Sequence, residues 1–363
     1  MTREASRNGL RGLARSIGSL FEEGPGPDPP EAASPSGVSV EEASFTSLLD
    51  AVVSADPARR EVLAIALEAR AGPLHAAGRL DELADAVERL VGVAGPEPTD
   101  PCIRTARVLA SAAVSETLAA RLGSAREETR RTELVHVCGR LGGRASSALS
   151  EALSGTKDRF ARRAYVAALV AMGDEAMPAV ERMVEDPRWY VVRNGLAVLG
   201  EAGGELAVEL IVTGLAHAEP RVRREAVMAL GKVGGGDAGQ LALGMLEDPD
   251  DDVRLAAAAV AGSLGVARAL KPLLALLDRE RDPDNVIGIL QALGELGDPG
   301  AVSAIEKRAV PSFLSRTSAE VRVAAYRALH AIGTPHAKVL LVRAADDRDA
   351  EVKGAVRQLL RMR

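Results

Sequence analysis

Catalysis and metal binding need reactive side chains within reach of one another, and in this 363-residue chain such side chains are few and scattered. Histidines stand at 75, 136, 217, 330 and 336. Only His330 and His336 are close, and six residues apart across a break at Gly333 they do not share a helical face as an i, i+4 ligand pair would. Cys102 and Cys138 lie 36 residues apart without a second pair, which gives neither a zinc spacing nor a disulfide framework. Reduced thiols in a cytoplasm fit them. No Ser-His-Asp, Cys-His or paired-carboxylate set arises from local spacing, so no catalytic, cofactor-binding or metal-ligating residue is expected. The cluster GKVGGGDAG (231–239) has the glycines of a phosphate loop but neither the preceding strand nor a G-K-[ST] ending that opens a helix. It reads as an inter-helix turn.

Three polar or aromatic features remain. The stretch DPRWYVVRN (186–194) holds the only tryptophan in a chain that is 2% aromatic. Its Arg188, Trp189, Tyr190, Arg193 and Asn194 are candidate partner-binding residues, because tryptophan, tyrosine and arginine are enriched where interfaces concentrate their energy. Either the two aromatics pack over a seam of the scaffold, or they form an exposed aromatic–arginine patch; the exposure of Trp189 separates the two. The segment VPSFLSRTS (310–318) sets Phe313, Leu314 and Arg316 among small polar residues and is a second candidate partner-binding site. Last comes a ladder at 131, 162, 223, 254 and 322, all arginine, with valine at 192 and 286 and Lys353 at its end. Acids two positions earlier, as in Asp252 with Arg254, Glu320 with Arg322 and Glu351 with Lys353, favour ion pairs and caps that tie successive units together. An anion-binding stripe is the rival reading.

The elements that carry these residues are helical. Hydrophobics make up 47% of the chain, led by alanine, leucine and valine, a mixture suited to close-packed helices with small residues at their contacts. The net charge of -6 provides no global attraction for nucleic acid. No apolar run approaches the roughly 18 residues of a membrane span, and the arginine-rich start lacks the apolar centre of a secretory signal. Residues 1–44 read as a disordered tail. Within it Leu10, Leu13, Ile17, Leu20 and Phe21 share a helical arc beside Arg3, Arg7, Arg11 and Arg15, and EEGPGPDPPEAASPSG (22–37) has almost nothing to bury. The basic arc, within residues 3–21, suits a docking helix or a weak membrane-surface contact. From 45 to 125 divergent helical segments follow, with Asp56-Pro57 and Asp100-Pro101 as helix starts and PEPTDP (96–101) as a hinge; CIRTARVLASAAVSETLAARL (102–122) reads as one helix.

Beyond 125 a period emerges. VCGRLG, LVAMG, VLGEAG, ALGKVG, VAGSLG, ALGELG and ALHAIG close at Gly142, Gly173, Gly203, Gly234, Gly265, Gly297 and Gly333, at steps of 31, 30, 31, 31, 32 and 36. Such self-similarity marks stacked units, none able to bury its own apolar face. The longest step contains 310–318, and insertions in repeat arrays fall on loops that often bind. Four residues before each closing glycine stand Cys138, Leu169, Leu199, Leu230, Ala261, Leu293 and Leu329, and one before it Leu141, Met172, Ala202, Val233, Leu264, Leu296 and Ile332; both sets are expected in the core. Gly195, Ala226 and Ala257, eight before, would let helices approach. Each closing glycine is expected to end its helix with a positive φ.

The segments DPDDDVRLAAAAVAGSLG and EPRVRREAVMALGKVGGGDAG resemble bacterial HEAT repeats, of the kind also found in phycobilin lyases, with the pattern D-P-x-x-x-V-R-x-x-A-x-x-A-L-G-x-x-G. The resemblance covers 126–363 well and 45–125 by continuation. It implies an all-α, right-handed α-α superhelix, a HEAT-like α-solenoid, over residues 45–363. Proteins of this family serve as scaffolds, adaptors, chromophore lyases and DNA glycosylases, so the fold does not choose among them. With no catalytic set in view, the expectation is a non-catalytic cytoplasmic scaffold or adaptor for a protein partner. A lyase-like enzyme or assembly factor, and then a nucleic-acid-binding array, are the alternatives.

Overall fold

Helix starts in this chain are written in short polar side chains. In the computed structural model, which describes residues 43–310 and 317–361, the side chains of Ser44, Asp56, Asp100, Ser111, Asp158, Asp250, Asp282, Ser318 and Thr334 each accept a backbone N–H of the helix they open. Each satisfies a donor that the helix itself leaves unpaired. Among the described residues every regular element is helical. The chain separates into two compact units, dividing between Ala179 and Val180.

The first unit contains α1 (Phe45–Ser54), α2 (Pro57–Ala76), α3 (Leu80–Val93), α4 (Pro101–Leu109), α5 (Ala112–Ser124), α6 (Glu128–Leu141), α7 (Gly143–Gly155) and α8 (Arg159–Ala171). They form two rows: α2, α4, α6 and α8 side by side, and α1, α3, α5 and α7 behind them. Asp56 and Asp100 cap helices with proline in the first turn, as expected. One reading needs correction. The segment 102–122 is not one helix, because Ala110 leaves the helical conformation and the Ser111 hydroxyl caps a new one. In the segment 96–101 and just before it, Arg140 donates from Nη1 to the Pro96 carbonyl (2.9 Å) and from Nη2 to those of Gly95 (2.7 Å) and Glu97 (3.3 Å). Asp100 Oδ2 accepts the Gly95 N–H as well. One guanidinium thus gathers three loop carbonyls.

The second unit runs from the greater part of α9 (Met177–Val184) through α10 (Trp189–Ala202), α11 (Glu205–Leu215), α12 (Pro220–Val233), α13 (Gly235–Gly244), α14 (Asp251–Ser263), α15 (Leu270–Arg279), α16 (Pro283–Leu296), α17 (Val302–Ala309), α18 (Ala319–Ile332), α19 (Pro335–Ala344) and α20 (Ala350–Arg361). The first helices of successive hairpins, α10, α12, α14, α16, α18 and α20, pack in sequence, and the second helices α11, α13 and α19 each lie against two of them. Every expected closing glycine has φ between 58° and 73°. Gly297 and Gly333 are truly left-handed. Gly203 and Gly234 instead combine positive φ with ψ near -169° and -167°, a region essentially reserved for glycine.

The residues four before each closing glycine are all buried, as are Gly195, Ala226 and Ala257. The set one before is not a core set: Leu141 and Met172 are buried, Ala202 is exposed, and the other four are half-buried. Those residues sit where the helix ends, so their side chains face the hairpin corner. The closest helix approaches lie three before the closing glycine. A Cβ at Gly200 would meet Ala229 Cα at 2.8 Å, one at Gly231 Val260 Cγ2 at 2.7 Å, one at Gly262 the Ala292 carbonyl oxygen at 2.5 Å, and one at Gly294 Ala328 Cα at 2.9 Å. These glycines form the spine along which the first helices stack.

Candidate partner-binding site

The DPRWYVVRN stretch begins in the turn between α9 and α10. Although Asp186-Pro187 has the same form as the helix starts Asp56-Pro57 and Asp100-Pro101, α10 starts at Trp189, with Arg188 in the cap position and no side-chain cap bond. The reason lies in how the Asp186 carboxylate is used. Its Oδ1 accepts the Arg188 N–H at 2.8 Å, and Arg188 Nε and Nη2 donate to Oδ1 and Oδ2 at 2.9 and 2.8 Å. The hydrogen bonds from Arg188 hold the Asp186 carboxyl below the ordinary aspartate range. A closed turn results, and it delivers Trp189 as the first helical residue.

The same turn recurs in repeat after repeat, a regularity the sequence reading missed. Thr156, His217, Asp248, Glu280 and Asp347 each accept the backbone N–H of the residue two positions on. All stand six places before the ladder position, and all are acceptors, which was the available signal. Asp248 and Asp347 do more. Arg223 Nε and Nη2 bind the two Asp248 oxygens at 2.8 Å each, and Arg322 grips Asp347 in the same forked way while its Nε donates to the Ala309 carbonyl at 2.9 Å. At these two rungs the ladder ties one repeat to the next through an acid 25 residues ahead, not two behind. Arg254 differs, donating to the Asp248 carbonyl (2.6 Å) and pairing with Asp251 rather than Asp252. Three ladder arginines, Arg223, Arg254 and Arg322, are thus engaged within the scaffold and do not form an anion stripe.

At the N-terminal end of α10 the arrangement changes character. Val192 takes the ladder slot and is buried, so Arg193 falls one place later and turns onto Trp189, its guanidinium 5.5 Å from the ring centroid. From the adjacent helix α12, Arg221 sits 5.0 Å from the same centroid. Tyr190 packs edge-on against Trp189, centroids 5.9 Å apart at 87°, and Arg188 lies 5.9 Å from the Tyr190 ring. Trp189 is half-buried, Tyr190 is 37% exposed, and the Arg221 side chain is 69% exposed with Glu219 at 3.6 Å. Each cation–π contact at this exposure contributes about 0.5–1 kcal/mol. Together they hold two aromatic rings and three guanidinium groups in one fixed cluster at the surface.

Of the expected site residues, Arg188, Trp189, Tyr190, Arg193 and Asn194 are brought together. Asn194 is only 4% exposed; its Oδ1 accepts from Arg193 Nη2 at 3.1 Å, so it positions that arginine and does not face a partner. Arg221 was missed, although it occupies the place of Tyr190 one repeat later, where side-by-side helices bring equivalent positions together. Phe313, Leu314 and Arg316 lie outside the described residues, as does the basic arc within residues 3–21. In the first unit the register place of Tyr190 holds Phe160, which is exposed beneath Arg159 at 4.8 Å. Cys138 is buried, with its thiol pushed up to about 12 by burial and the nearby Glu88 charge. Among the described residues no group of three or more His, Cys, Asp or Glu side chains is placed to hold a metal ion, and no helix is long and apolar enough to cross a membrane.

Comparison with known proteins supports the architecture. Residues 178–259 and 240–311 match the family model for HEAT repeats. No curated protein matches the sequence. Among solved structures, Kap121p bound to Ste12p is similar over 87% of this chain and 39% of its own, at 10% identity and a TM-score of 0.52. Kap121p alone gives 11% identity and 0.51 over the same shares. The CpcE–CpcF complex of phycocyanin lyase from Nostoc sp. PCC7120 is 21% identical over 68% of this chain and 94% of that one, at a TM-score of 0.34, too low to equate the two arrangements. This chain spans about two fifths of Kap121p, and the likeness is one of helical-repeat fold. With the 31-residue register, the stacked hairpins and the family match in agreement, residues 178–311 are HEAT repeats within a chain of helical-repeat fold.

Proposed function

We propose that the protein is a non-catalytic scaffold or adaptor that holds a protein partner, with Trp189 as anchor and Tyr190, Arg188, Arg193 and Arg221 around it. The observation that carries this reading is the half-exposed tryptophan held between two arginines in an otherwise aromatic-poor array. A scaffold with no use for that ring would bury it or do without it. Stacked repeats offer extended surfaces of the kind partners occupy. The similar Kap121p structures include complexes with Nup53p and with the SUMO protease Ulp1p, so arrays of this fold do hold protein partners. The buried free thiols Cys102 and Cys138 suit a reducing compartment such as the cytoplasm.

Because Trp189 is the only tryptophan, its emission reports occupancy of the patch directly. Affinity capture from native cells is to be compared between wild type and Trp189→Ala/Arg193→Ala, with circular dichroism as the folding control. A partner that uses the patch should bind the folded variant about 30-fold more weakly, the scale of one interface hot spot. The purified partner should also shift Trp189 emission in the wild type. Equal recovery by both chains, with unchanged emission, refutes the assignment.

A further inference from the structure

The first unit carries a second feature, independent of the Trp189 patch. A groove of about 530 Å³ lies between α4, the start of α7 and the turn at 173–176, lined by Arg104, Arg107, Val108, Arg144 and Glu175 among others. Its chemistry shows in what already lies there. Arg107 donates from Nη2 to Glu175 Oε1 at 2.8 Å and from Nε to the Arg140 carbonyl at 3.0 Å, while Glu175 Oε2 accepts the Gly143 N–H at 3.1 Å. One carboxylate is thus held between a guanidinium and a backbone donor. Arg104, whose side chain is half-exposed beside Glu61, and the exposed Arg144 add two more cations to the wall. Val108, 53% exposed, supplies an apolar contact. Glu175 matches Arg107 and Glu61 pairs with Arg104, so Arg144 leaves the groove with a net positive charge.

We propose that this groove binds the chain's own acidic segment, residues 22–42. That stretch holds Glu22, Glu23, Asp28, Glu31, Glu41 and Glu42 with no basic residue, so it carries a charge equal to the whole formal net charge of -6. It also brings Val38 and Val40 as apolar counterparts for Val108. Its reach suffices. The segment ends where the described chain begins, beside α1; α1 packs on α2, and α2 on α4, which forms one wall of the groove. Two helix spacings are roughly 20 Å, whereas 21 extended residues span up to about 70 Å. A tether of this length presents the acids at an effective concentration on the order of millimolar, enough for weak, salt-sensitive contacts to be occupied. The carboxylates engage Arg104 and Arg144, leaving the Arg107–Glu175 clamp intact.

The test uses the full chain carrying Ser34→Cys with a nitroxide label; Cys102 and Cys138 are buried and remain unlabelled. At 50 mM salt the methyl signals of Val108 should lose more than five-fold in intensity relative to the reduced label, and recover at 0.6 M salt. Arg104→Glu/Arg144→Glu should abolish the effect. A second variant with all six acids of 22–42 changed to their amides, which leaves the folded array untouched, should abolish it equally. Signals unaffected by the label, or affected alike in both variants, overturn the proposal. So does broadening that arises only on mixing labelled with isotope-enriched chains, which would make a second copy the occupant, or a shift of Val108 only on adding separate acidic peptide.

Discussion

At the scale of single residues, the forked Arg322–Asp347 and Arg223–Asp248 pairs join one repeat to the next. Arg322 is 6% exposed, so removing its acid leaves a buried cation with the Ala309 carbonyl but no counter-charge. Asp347→Ala should therefore destabilise the second unit by about 3 kcal/mol at pH 7, read as a lower urea midpoint of Trp189 fluorescence. The pH dependence has a definite sign. Arg223 holds the Asp248 carboxyl below its ordinary value; burial pushes Asp347 up, but the Arg322 hydrogen bond and the Asp349 N–H outweigh it, and the net shift is downward. A carboxyl depressed by folding adds stability that is present in full above its unfolded value and is lost as pH falls through the folded one. The penalty of Asp347→Ala should thus shrink as pH falls below about 4. A penalty equally large at pH 3 and pH 7 would mean that Asp347 acts through shape, not charge.

At the scale of helices, the spine glycines Gly200, Gly231, Gly262 and Gly294 decide how near neighbouring first helices come. Alanine normally favours a helix over glycine by about 1 kcal/mol, so the sign of Gly→Ala depends on what the new methyl meets. At Gly262 it meets the backbone of Ala292, which cannot step aside, whereas at Gly231 it meets a methyl of Val260, whose side chain can rotate. Gly262→Ala should cost about 2 kcal/mol or more, in the range of overpacked cores, and Gly231→Ala should come out near neutral; chemical denaturation of the two variants checks the order. This spine also shows how far the sequence could be read. The closing glycines and the buried set four before them were legible because they recur at a fixed place in every repeat. The spine was there too, as the glycine of V-L-G, A-L-G, V-A-G and A-L-G at 200, 231, 262 and 294, yet a helical glycine reads as a weak point until the neighbouring helix is in view. The acid that partners Arg322 was hidden because it lies 25 residues on, in the next turn, while Glu320 stood two residues back. The Trp189 patch was half legible. Its own helix supplied Arg188, Tyr190 and Arg193, but Arg221 comes from α12 and enters only when the repeats are laid side by side.

At the scale of the whole molecule, contacts run between neighbouring repeats, and stability in such arrays is close to a sum of repeat terms and nearest-neighbour terms. A defect should be felt near where it is placed and fade along the chain, so that a single two-state transition is not expected. The molecule carries its own reporters for this. Trp189 lies in the second unit, whereas Cys102 and Cys138, both fully buried free thiols, lie in the first. Gly262→Val places two more methyl groups against the Ala292 backbone than alanine does, and a loss of 2–3 kcal/mol corresponds to a midpoint shift on the order of 1 M urea. In that variant the Trp189 transition should move to lower urea by about this amount, while the concentration at which the two thiols become reactive should stay within about 0.3 M of wild type. The comparison is internal, since both readings come from one sample. If the thiols open together with Trp189 and shift by the same amount, the defect at Gly262 has propagated across the division between Ala179 and Val180, and the chain unfolds as one cooperative body rather than as coupled repeats.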